Sequence, residues 1–308
     1  MSTWTSADIP DQTGRTILIT GANSGLGLRS AEALAAAGAR VLMGCRNAEK
    51  AEVARVGVAA GATGPAPEVV PLDLSDLDSV TACAERLTDQ IDHLDVLMNN
   101  AGVMAIPLAR TAQGFEMQMG TNHLGHFALT GRLLPLLRAA TAPRVIAVSS
   151  FGHKPGRIRW DDPNWHRRYF AWPAYFQTKL ANLLFTLELD RQAQEAGSDL
   201  LAAAGHPGYA ATNLNASGPG SANAVMLRAT KLLDAAMGQP DAMGALPQLY
   251  AATMPDVAHN DYWGPDGLLE QRGHPKRVGR TKRASNAADA RRLWALSEEL
   301  TGVTYDWG

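Results

Sequence analysis

The sequence contains few cysteines, little net charge and no long apolar run. Cys45 and Cys83 are the only cysteines among 308 residues, and neither has a partner at motif spacing, which excludes a disulfide framework and is typical of a reducing compartment. A formal net charge of −2 indicates no general attraction to nucleic acid or membranes. No run approaches the ~18 apolar residues of a membrane span, and residues 1–14 lack an apolar signal core. We therefore expect a soluble, cytoplasmic protein without a membrane anchor or a nucleic-acid partner.

The chain does contain a regular alternation of short apolar runs with longer helical patterns. The predicted strands cover residues 16–20, 40–44, 68–72, 94–98, 144–149 and 200–204. This alternation predicts a parallel sheet with helices on both faces, which is the doubly wound, Rossmann-type α/β class. We expect residues 1–308 to form a single domain of this kind.

The C-terminal third departs from the alternation. Residues 213–240 are rich in Gly, Ser and Ala and are predicted to form a flap over a site. A helix is expected over 241–253, followed by a C-terminal extension over 254–308. In the extension, Tyr262-Trp-Gly-Pro-Asp-Gly is predicted to be a turn cluster, and the basic stretch 274–283 a solvated surface before a last helix.

The segment Thr20-Gly-Ala-Asn-Ser-Gly-Leu-Gly27 follows the first predicted strand and opens a helix. Its glycines allow a sharp turn and let a pyrophosphate approach the helix N-terminus, where unpaired N–H groups bind anions. Ser30 occupies the place of the third glycine in the common Gly-x-Gly-x-x-Gly spacing. The strand before and the helix after favour a dinucleotide site over a plain glycine-rich turn. The candidate cofactor contacts here are Gly21, Asn23, Ser24, Gly25, Leu26 and Gly27.

The end of the second predicted strand bears on the choice of cofactor. A carboxylate there would bind the adenosine ribose of NAD, but the chain has Gly44-Cys-Arg-Asn47. Arg46 suits the 2′-phosphate of NADP(H), with a solvated arginine as the alternative. After the third strand, Asp73 either meets the adenine amino group or helps to cap a helix that begins near Ser75, and Leu74 stands beside it.

Amide and hydroxyl side chains follow the fourth and fifth predicted strands. Asn99-Asn100-Ala101-Gly102 would let the backbone pass close to a cofactor, or form a plain turn. Ser150 ends the fifth strand, where its hydroxyl can donate to a substrate carbonyl oxygen or cap a turn. Asn122 lies in a helical region beside His123 and His126, which lack the further ligands of a metal site and are predicted to be structural.

Tyr175 and Lys179 stand four residues apart in a stretch that is predicted to be a long helix. Residues at this spacing share one side of a helix, so the phenol and the ammonium face the same way. A nearby cation favours the phenolate, and we therefore expect the pKa of Tyr175 to fall towards neutrality. Such a phenol is a general acid/base for an alcohol oxygen.

These candidate groups share one position, because each follows a predicted strand. The groups that do so are Gly21–Gly27, Arg46, Asp73, Asn99–Gly102, Ser150 and Pro207-Gly208. In a doubly wound sheet the carboxyl ends of the strands form the edge at which ligands bind. Unrelated turns and caps would not all be expected on one edge, so we interpret them as parts of one site.

Together the motifs resemble the short-chain dehydrogenase/reductase family over about residues 14–212, and more loosely over the helix at 241–253. Within that family the chain is most similar to the retinol-dehydrogenase-like group, which includes WW-domain oxidoreductases and protochlorophyllide reductases. The segments that carry this likeness are Cys45-Arg-Asn, Asn122-His-Leu-Gly-His-Phe, Tyr175-x-x-x-Lys-Leu-Ala-Asn and His206-Pro-Gly.

The resemblance implies a role for each residue. Tyr175 would move a proton on or off the substrate oxygen, and Lys179 would lower its pKa and hold the nicotinamide ribose. Ser150 would polarise the carbonyl group, Asn122 would hold a proton-relaying water, and Thr212 would meet the nicotinamide carboxamide. The hydride itself belongs to the cofactor.

The 24 residues between Ser150 and Tyr175 form a longer insert than compact members of the family have, and the retinol-like group shares this length. The aromatic residues of the insert either line a lipophilic pocket or pack the insert onto the body. They are Trp160, Trp165, Tyr169, Phe170 and Trp172. We expect no membrane anchor of the kind that the group has, which weakens any argument for retinol itself.

The leading hypothesis is an NADP(H)-dependent oxidoreductase that interconverts a carbonyl and an alcohol on a small or apolar substrate. One alternative is reduction of a C=C bond, as in the protochlorophyllide reductases, which the same residues would serve. Another is an idle NADP-binding sensor or scaffold, although such relatives usually lose the tyrosine or the lysine. The family also suggests a homo-oligomer.

Overall fold

The computed structural model describes residues 3–209 and 239–308. The strands are β1 (Thr16–Thr20), β2 (Arg40–Cys45), β3 (Glu68–Pro71), β4 (Val96–Asn99), β5 (Arg144–Val148), β6 (Leu201–Gly205), β7 (Tyr262–Pro265) and β8 (Pro275–Arg277). Within the described ranges they form one eight-stranded sheet in the order β3-β2-β1-β4-β5-β6-β7-β8. The pairings are parallel from β3 to β7, and β8 pairs with β7 in the antiparallel sense.

The longer segments between the strands are helical. The helices are α1 (Gly25–Ala36), α2 (Ala48–Ala59), α3 (Leu77–Gln90), α4 (Met117–Met119), α5 (Gly125–Arg132), α6 (Leu134–Arg138), α7 (Ala171–Glu195), α8 (Asp241–Thr253) and α9 (Ala287–Thr301). A π-helical turn, Gly120–Leu124, joins α4 to α5. The helix predicted over 241–253 is confirmed as α8.

Helices cover both faces of the sheet, as the doubly wound prediction requires. Successive side chains of a strand point to opposite faces, and β1 displays this directly. Leu18 belongs to a core that α3, α5, α6, α7 and α9 cover. Ile17 and Ile19 belong to a second core, under α1, α2 and α8. The predicted fold class is therefore confirmed.

All six predicted strands are confirmed, each within two residues at its ends. The prediction of a turn cluster at Tyr262 was wrong, because this segment forms β7 and pairs with β6. Gly264 and Pro265 favour turns in any local interpretation of the sequence. The strand exists because β6, some sixty residues earlier, offers an unpaired edge on which Ala204 and Gly205 pair with Tyr262 and Trp263.

Part of the basic stretch forms the edge strand β8, which was not predicted. Lys276 and Arg277 are exposed there, as expected for a solvated surface. Arg277 is not free, however, since its Nε lies 2.6 Å from Oδ1 of the buried Asp261. Charged residues on an edge strand discourage pairing with another chain, which gives this stretch a structural purpose.

Some of the predicted features fall in the part that is not described. The proposed flap at 213–240 lies outside the described residues apart from Gln239 and Pro240. In the remainder of the chain, no helix is both long enough and apolar enough to cross a membrane.

Residues 303–307 complete the core on one face of the sheet. The hydroxyl of Tyr305 donates to the carbonyl of Phe127 at 2.7 Å, and its ring lies 4.4 Å from that of Trp294. A Cβ added at Gly131 would approach Tyr305 Cε2 and Val303 Cγ1 to 2.7 Å. Gly131, on α5, therefore leaves the space into which this tail packs.

Gly131→Ala is expected to lower the free energy of unfolding by about 2 kcal/mol, because the added methyl group overpacks a rigid aromatic contact. Gly57→Ala is the matched control, since Gly57 is also helical and its added Cβ meets nothing within 4 Å. That control should gain about 0.5–1 kcal/mol from helix propensity. Urea unfolding of both variants measures the difference, and equal shifts would contradict the packing argument.

Candidate active site

A cleft of about 440 Å³ opens at the carboxyl edge of the sheet, where β1 and β4 end side by side. Strands β2 and β3 are added on one side of β1, and the strands from β4 onwards on the other. Doubly wound sheets bind ligands at the point where the strand order reverses in this way. The predicted contacts that line the cleft are Gly21, Asn23, Ser24, Gly25, Leu26, Gly27, Arg46, Asp73, Leu74, Asn100, Ala101 and Gly102. It is also lined by residues that sequence reasoning had not selected, namely Gly44, Lys50, Leu72, Val103, Met104, Met117 and Thr121.

The glycine-rich turn brings the start of α1 against the end of β4. Gly21 and Gly25 have φ values of +69° and +53°, which residues with a side chain rarely adopt. A Cβ at Gly27 would lie 2.6 Å from Asn100 Nδ2, so the close approach requires glycine. Ser24 precedes α1 without a capping hydrogen bond from its side chain. The first N–H groups of α1 are therefore available to an anion in the cleft.

Ser30 has a structural role at the position where many dinucleotide motifs have a glycine. Its Oγ accepts a hydrogen bond from Gln248 Nε2 at 2.8 Å, and the same nitrogen donates to Asn100 Oδ1 at 3.1 Å. Gln248 lies on α8, so one amide joins α8, α1 and the turn after β4. The two partners are 218 residues apart in sequence, which is why local patterns did not indicate the pair.

Thr20 organises the turn after β4 from the neighbouring strand. Its Oγ1 accepts from the backbone N–H groups of Asn100 and Ala101, both at 2.9 Å, and lies 2.8 Å from His126 Nε2. The His126 Nδ1 in turn faces the backbone carbonyl of Asn122 at 3.1 Å. Burial lowers the pKa of His126 to about 4, so the ring is neutral at neutral pH and serves as a bridge between these elements.

Asn122 lies in the π-helical turn, a rare conformation that is frequent at functional sites. Its Oδ1 accepts from the Val103 N–H at 2.8 Å, and its Nδ2 donates to Val103 O at 2.8 Å and to Thr178 Oγ1 at 3.0 Å. These bonds hold the chain after Gly102 against α7. The neighbouring His123 is buried, with Nε2 2.9 Å from Ser297 Oγ, in agreement with the structural role predicted for it.

Two cations stand at the outer end of the cleft, beyond β2. The Arg46 side chain is 70% exposed, and its Nε lies 4.0 Å from Asp73 Oδ2. Lys50 lines the same region from the first turn of α2, where the Asn47 side chain accepts from the Lys50 N–H at 2.8 Å. The sequence analysis did not select Lys50. The signal was present, because Asn47 directly follows Arg46, caps α2, and is followed three residues later by this lysine.

Asp73 forms a turn rather than a helix cap. Its Oδ1 accepts from the N–H of Ser75 at 2.9 Å and from the Ser75 hydroxyl at 2.6 Å. The residue that caps α3 is Asp76, whose side chain accepts from the Asp78 N–H. Of the two predicted alternatives for Asp73, capping is therefore wrong, and its side chain stays at the wall of the cleft beside Leu74.

Tyr175 and Lys179 lie one turn apart on α7, with the Lys179 Nζ 5.6 Å from the centre of the tyrosine ring. The Lys179 Nζ donates to the carbonyl of Val148 at 3.0 Å, and burial lowers its pKa to about 8. Burial raises the pKa of Tyr175 to about 12, and a hydrogen bond with Ser150 opposes this rise only in part. The predicted fall in the Tyr175 pKa is wrong for the protein alone, because desolvation by burial dominates the shift.

Ser150 reaches this pair through a short 3₁₀ turn, Phe151–His153. Its Oγ accepts from the Gly152 N–H at 3.1 Å, so it also has the capping role that was its alternative. A Cβ at Gly152 would lie 3.3 Å from Tyr175 Cε1, which places the turn directly against the tyrosine ring. The fold therefore brings Ser150, Tyr175 and Lys179 together at the carboxyl end of β5.

Gly102 connects this group to the cleft. A Cβ at Gly102, which lines the cleft, would lie 3.1 Å from Asn122 Oδ1 and 3.8 Å from Lys179 Nζ. The four predicted reactive residues thus adjoin the inner end of the cleft instead of lining its main body. A dinucleotide lying along the cleft would end beside them.

Three of the five aromatic residues of the insert pack against other side chains or the backbone, whereas Phe170 and Trp172 are about half exposed. Trp165 is buried under the guanidinium of Arg159, and Trp160 lies under Arg292. The hydroxyl of Tyr169 donates to the carbonyl of Ile106 at 2.8 Å. Packing is therefore the main role of the insert, and of its rings Trp172 is the one that lies against the predicted reactive tyrosine.

Trp172 occupies the first turn of α7, on the same side of the helix as Tyr175. Its ring meets Tyr175 edge-on at 6.2 Å between centroids and lies 5.8 Å from the ring of Phe176. Trp172 is 48% exposed, so about half of its surface is open to solvent beside Tyr175.

Pro207 and Gly208 follow β6, the strand next to β5 on the side away from β4. Gly208 has a φ of +64°, and its N–H donates to His206 Nδ1 at 3.2 Å. In the part of the chain that the structure describes, neither residue lines the cleft. Thr212, the remaining predicted cofactor contact, lies outside the described residues.

Comparison with known proteins agrees with this geometry. A family model for short chain dehydrogenases matches residues 15–219. Human retinol dehydrogenase 13 is 37% identical over 292 residues, covering 94% of this chain and 85% of that protein. Mouse retinol dehydrogenase 14 is 39% identical over 305 residues, covering 94% and 86%.

Solved structures give the same result. A protein from Mycobacterium paratuberculosis, described as uncharacterised, has 45% identity and a TM-score of 0.82 over 99% of this chain and 100% of its own. A Shigella flexneri short chain dehydrogenase, crystallised with NADP, has 25% identity and a TM-score of 0.64 over 82% and 97%. The chain therefore belongs to the short-chain dehydrogenase family and is retinol-dehydrogenase-like within it.

Proposed function

We propose that this protein is an NADP(H)-dependent oxidoreductase that interconverts a carbonyl group and an alcohol on a lipophilic substrate. Membership of an oxidoreductase family with retinol dehydrogenases as relatives supports the reaction class. The observation that carries the proposal is the convergence of Ser150, Tyr175 and Lys179 beside Gly102, at the inner end of a cleft of dinucleotide type.

The residues of the cleft fit a dinucleotide phosphate. The start of α1 offers N–H groups that no side chain caps, and Gly27 keeps the approach to them free. In this proposal the residues that hold the pyrophosphate are Gly21, Asn23, Ser24, Gly25, Leu26 and Gly27. Asp73 and Leu74 would face the adenine, and Asn100, Ala101 and Gly102 would lie along the cofactor towards the nicotinamide. Pro207, Gly208 and Thr212 are assigned to its far end.

Arg46 and Lys50 support the choice of NADP(H) over NAD(H). An exposed guanidinium and an ammonium group at the adenosine end of the cleft favour a 2′-phosphate by charge and by hydrogen-bond geometry. The Shigella relative was crystallised with NADP, which points the same way. When bound, the cofactor supplies or accepts the hydride.

The proton chemistry falls to Tyr175. In carbonyl reduction its hydroxyl donates a proton to the substrate oxygen, and a pKa near 12 keeps this hydroxyl protonated at neutral pH. Ser150, which is hydrogen-bonded to Tyr175 in the protein alone, would turn its hydroxyl to donate to the same substrate oxygen and stabilise the charge that develops on it. Lys179 adjoins the tyrosine and carries its charge below a pKa of about 8. Asn122 holds the chain at Gly102 against α7, where a proton-relaying water would bind.

Trp172 and Phe176 support a lipophilic substrate. Both rings lie beside Tyr175, and Trp172 presents about half of its surface to solvent. An apolar group on the substrate would cover this surface while its carbonyl oxygen meets the phenol. Covering an aromatic surface of this kind is favourable because it removes apolar area from water.

Tyr175→Phe is expected to reduce kcat for carbonyl reduction by about 10²–10⁴-fold, because it removes the proton donor and leaves the ring packing in place. The dissociation constant of NADPH, followed by tryptophan fluorescence, should not change. Tyr250→Phe is the control, since the Tyr250 hydroxyl bonds to Asp256 on an exposed surface away from the cleft. Full activity in the Tyr175 variant would refute the assigned acid, and wild-type NADPH binding without turnover of any aldehyde or ketone would refute the reaction.

Arg46→Ala is expected to weaken NADPH binding by about 10–100-fold, the value of one or two charge-assisted hydrogen bonds, while NADH binding stays nearly constant. Arg55→Ala is the matched control, because Arg55 lies on the exposed side of α2 and pairs with Glu52. Fluorescence titration with both cofactors measures the ratio. An unchanged preference in Arg46→Ala would mean that Arg46 is only a solvated charge.

Alcohol oxidation is expected to accelerate with pH, by about tenfold per pH unit between about pH 6 and about pH 8, where Lys179 still carries the charge that favours the phenolate. The reason is that oxidation requires the phenolate, whose fraction rises tenfold per unit below a Tyr175 pKa of about 12. Carbonyl reduction requires the protonated phenol, so its kcat should stay level and fall only above about pH 8, where Lys179 loses its charge. Initial rates in both directions at saturating cofactor test this, and an oxidation rate independent of pH would contradict it.

A further inference from the structure

The carboxylate of Glu270 lies between two loops of the proposed active site. Its Oε2 is 3.3 Å from Lys154 Nζ and 3.3 Å from His206 Nε2. Lys154 directly follows the 3₁₀ turn that Ser150 caps, and His206 directly follows β6. Because β5 and β6 are neighbours in the sheet, one carboxylate spans the loops at the ends of both strands.

The contact with His206 is buried and has a defined direction. The Gly208 N–H donates to His206 Nδ1 at 3.2 Å, so the proton of the neutral ring is on Nε2 and points to Glu270. Within the described residues Nε2 has no well-aligned hydrogen-bond partner, and its side chain is 0% exposed. The electrostatic contact with Glu270 is therefore what compensates the burial of this nitrogen.

The backbone at Glu270 is strained, and the side chain explains why. Leu269 and Glu270 have φ values of +53° and +58°, in the left-handed region that residues with a side chain seldom occupy. The Leu269 side chain is 68% exposed, so this conformation gains nothing from burying it. What the conformation does is direct the Glu270 carboxylate inward, between Lys154 and His206. Strain of this kind persists where surrounding contacts impose it, and it concentrates at functional sites.

The backbone of the same segment also supports the loop after β6. Gln271 O accepts a hydrogen bond from the Tyr209 N–H at 2.8 Å. A Cβ at Gly208 would overlap the same carbonyl oxygen. Residues 207–209 therefore rest directly on the segment that carries Glu270, and the carboxylate adds the link from there to the Ser150 turn.

We propose that Glu270 is a positioning residue, an ionic clamp that holds the turn after Ser150 and the loop at 207–209 in one arrangement. Its ion pair is with Lys154, and the same charged carboxylate attracts the Nε2–H of His206. The consequence for catalysis rests on the proposed function, since it is Ser150 that the clamp aligns with Tyr175. Small misplacements of a polarising group lower the rate of the chemical step strongly. Glu270 touches no reacting atom and acts through Lys154 and His206.

The matched variants are Glu270→Gly and Leu269→Gly. Each substitution relieves the backbone strain at one residue with a positive φ, and only Glu270→Gly removes the carboxylate. We expect Glu270→Gly to lower kcat for carbonyl reduction by about tenfold and Leu269→Gly to retain wild-type kcat. Glu270→Gln keeps the size of the side chain without its charge, so an ionic clamp predicts a kcat close to that of the glycine variant. Wild-type kcat in Glu270→Gln would overturn the ionic role.

Hydrogen–deuterium exchange tests the clamp independently of turnover. Glu270→Gly should raise deuterium uptake in peptides that cover residues 150–156 and 205–209, while Leu269→Gly should raise it in neither. Unchanged exchange in both peptides would overturn the clamp even if kcat fell. If the wild-type protein reduces no carbonyl at all, the proposed function fails, and the exchange experiment still decides whether Glu270 joins the two loops.

Discussion

The close approach of Gly27 to the turns after β1 and β4 is the contact on which the rest of the site depends. A methyl group at this position would collide with Asn100 and with the carbonyl of Gly21, so α1 could not start where it does. Because the helix starts there, its free N–H groups face the cleft. Thr20 and Gln248 have room to bond the turn after β4, and Ser30 on the helix accepts from the same Gln248 amide. The turn after β4 lines the cleft, and it places Gly102 next to the side chains of Asn122 and Lys179.

Desolvation governs the chemistry at the inner end of that cleft. It raises the pKa of Tyr175 and lowers the pKa of Lys179, so both shifts favour the neutral form of the group. In the proposed mechanism the phenol is therefore protonated at neutral pH, beside an amine whose charge is sensitive to small changes in its surroundings. Oxidation by the same mechanism would require the phenolate, which a higher pH or an added positive charge favours.

Local patterns sufficed for most of the fold and for most of the candidate site. The six parallel strands were found because each is a short apolar run between helices, and their order placed the glycine turn, Arg46 and Ser150 on one edge. Local patterns failed for β7 and β8, whose glycine and prolines favour turns. They failed also because β7 pairs with the distant strand β6, and β8 has no partner until β7 has formed. They also failed for the pKa of Tyr175, since spacing reveals a nearby cation but not the depth of burial.

The sequence by itself determined the fold class and the set of side chains that the proposed chemistry needs, because both follow from spacing along one strand or one helix. Only the tertiary structure decided that Ser30 bonds Gln248, that Trp160 packs under Arg292, and that Glu270 joins two loops. Each of these depends on contacts between residues far apart in the chain. Such contacts are set by the packing of whole elements, which no local pattern contains.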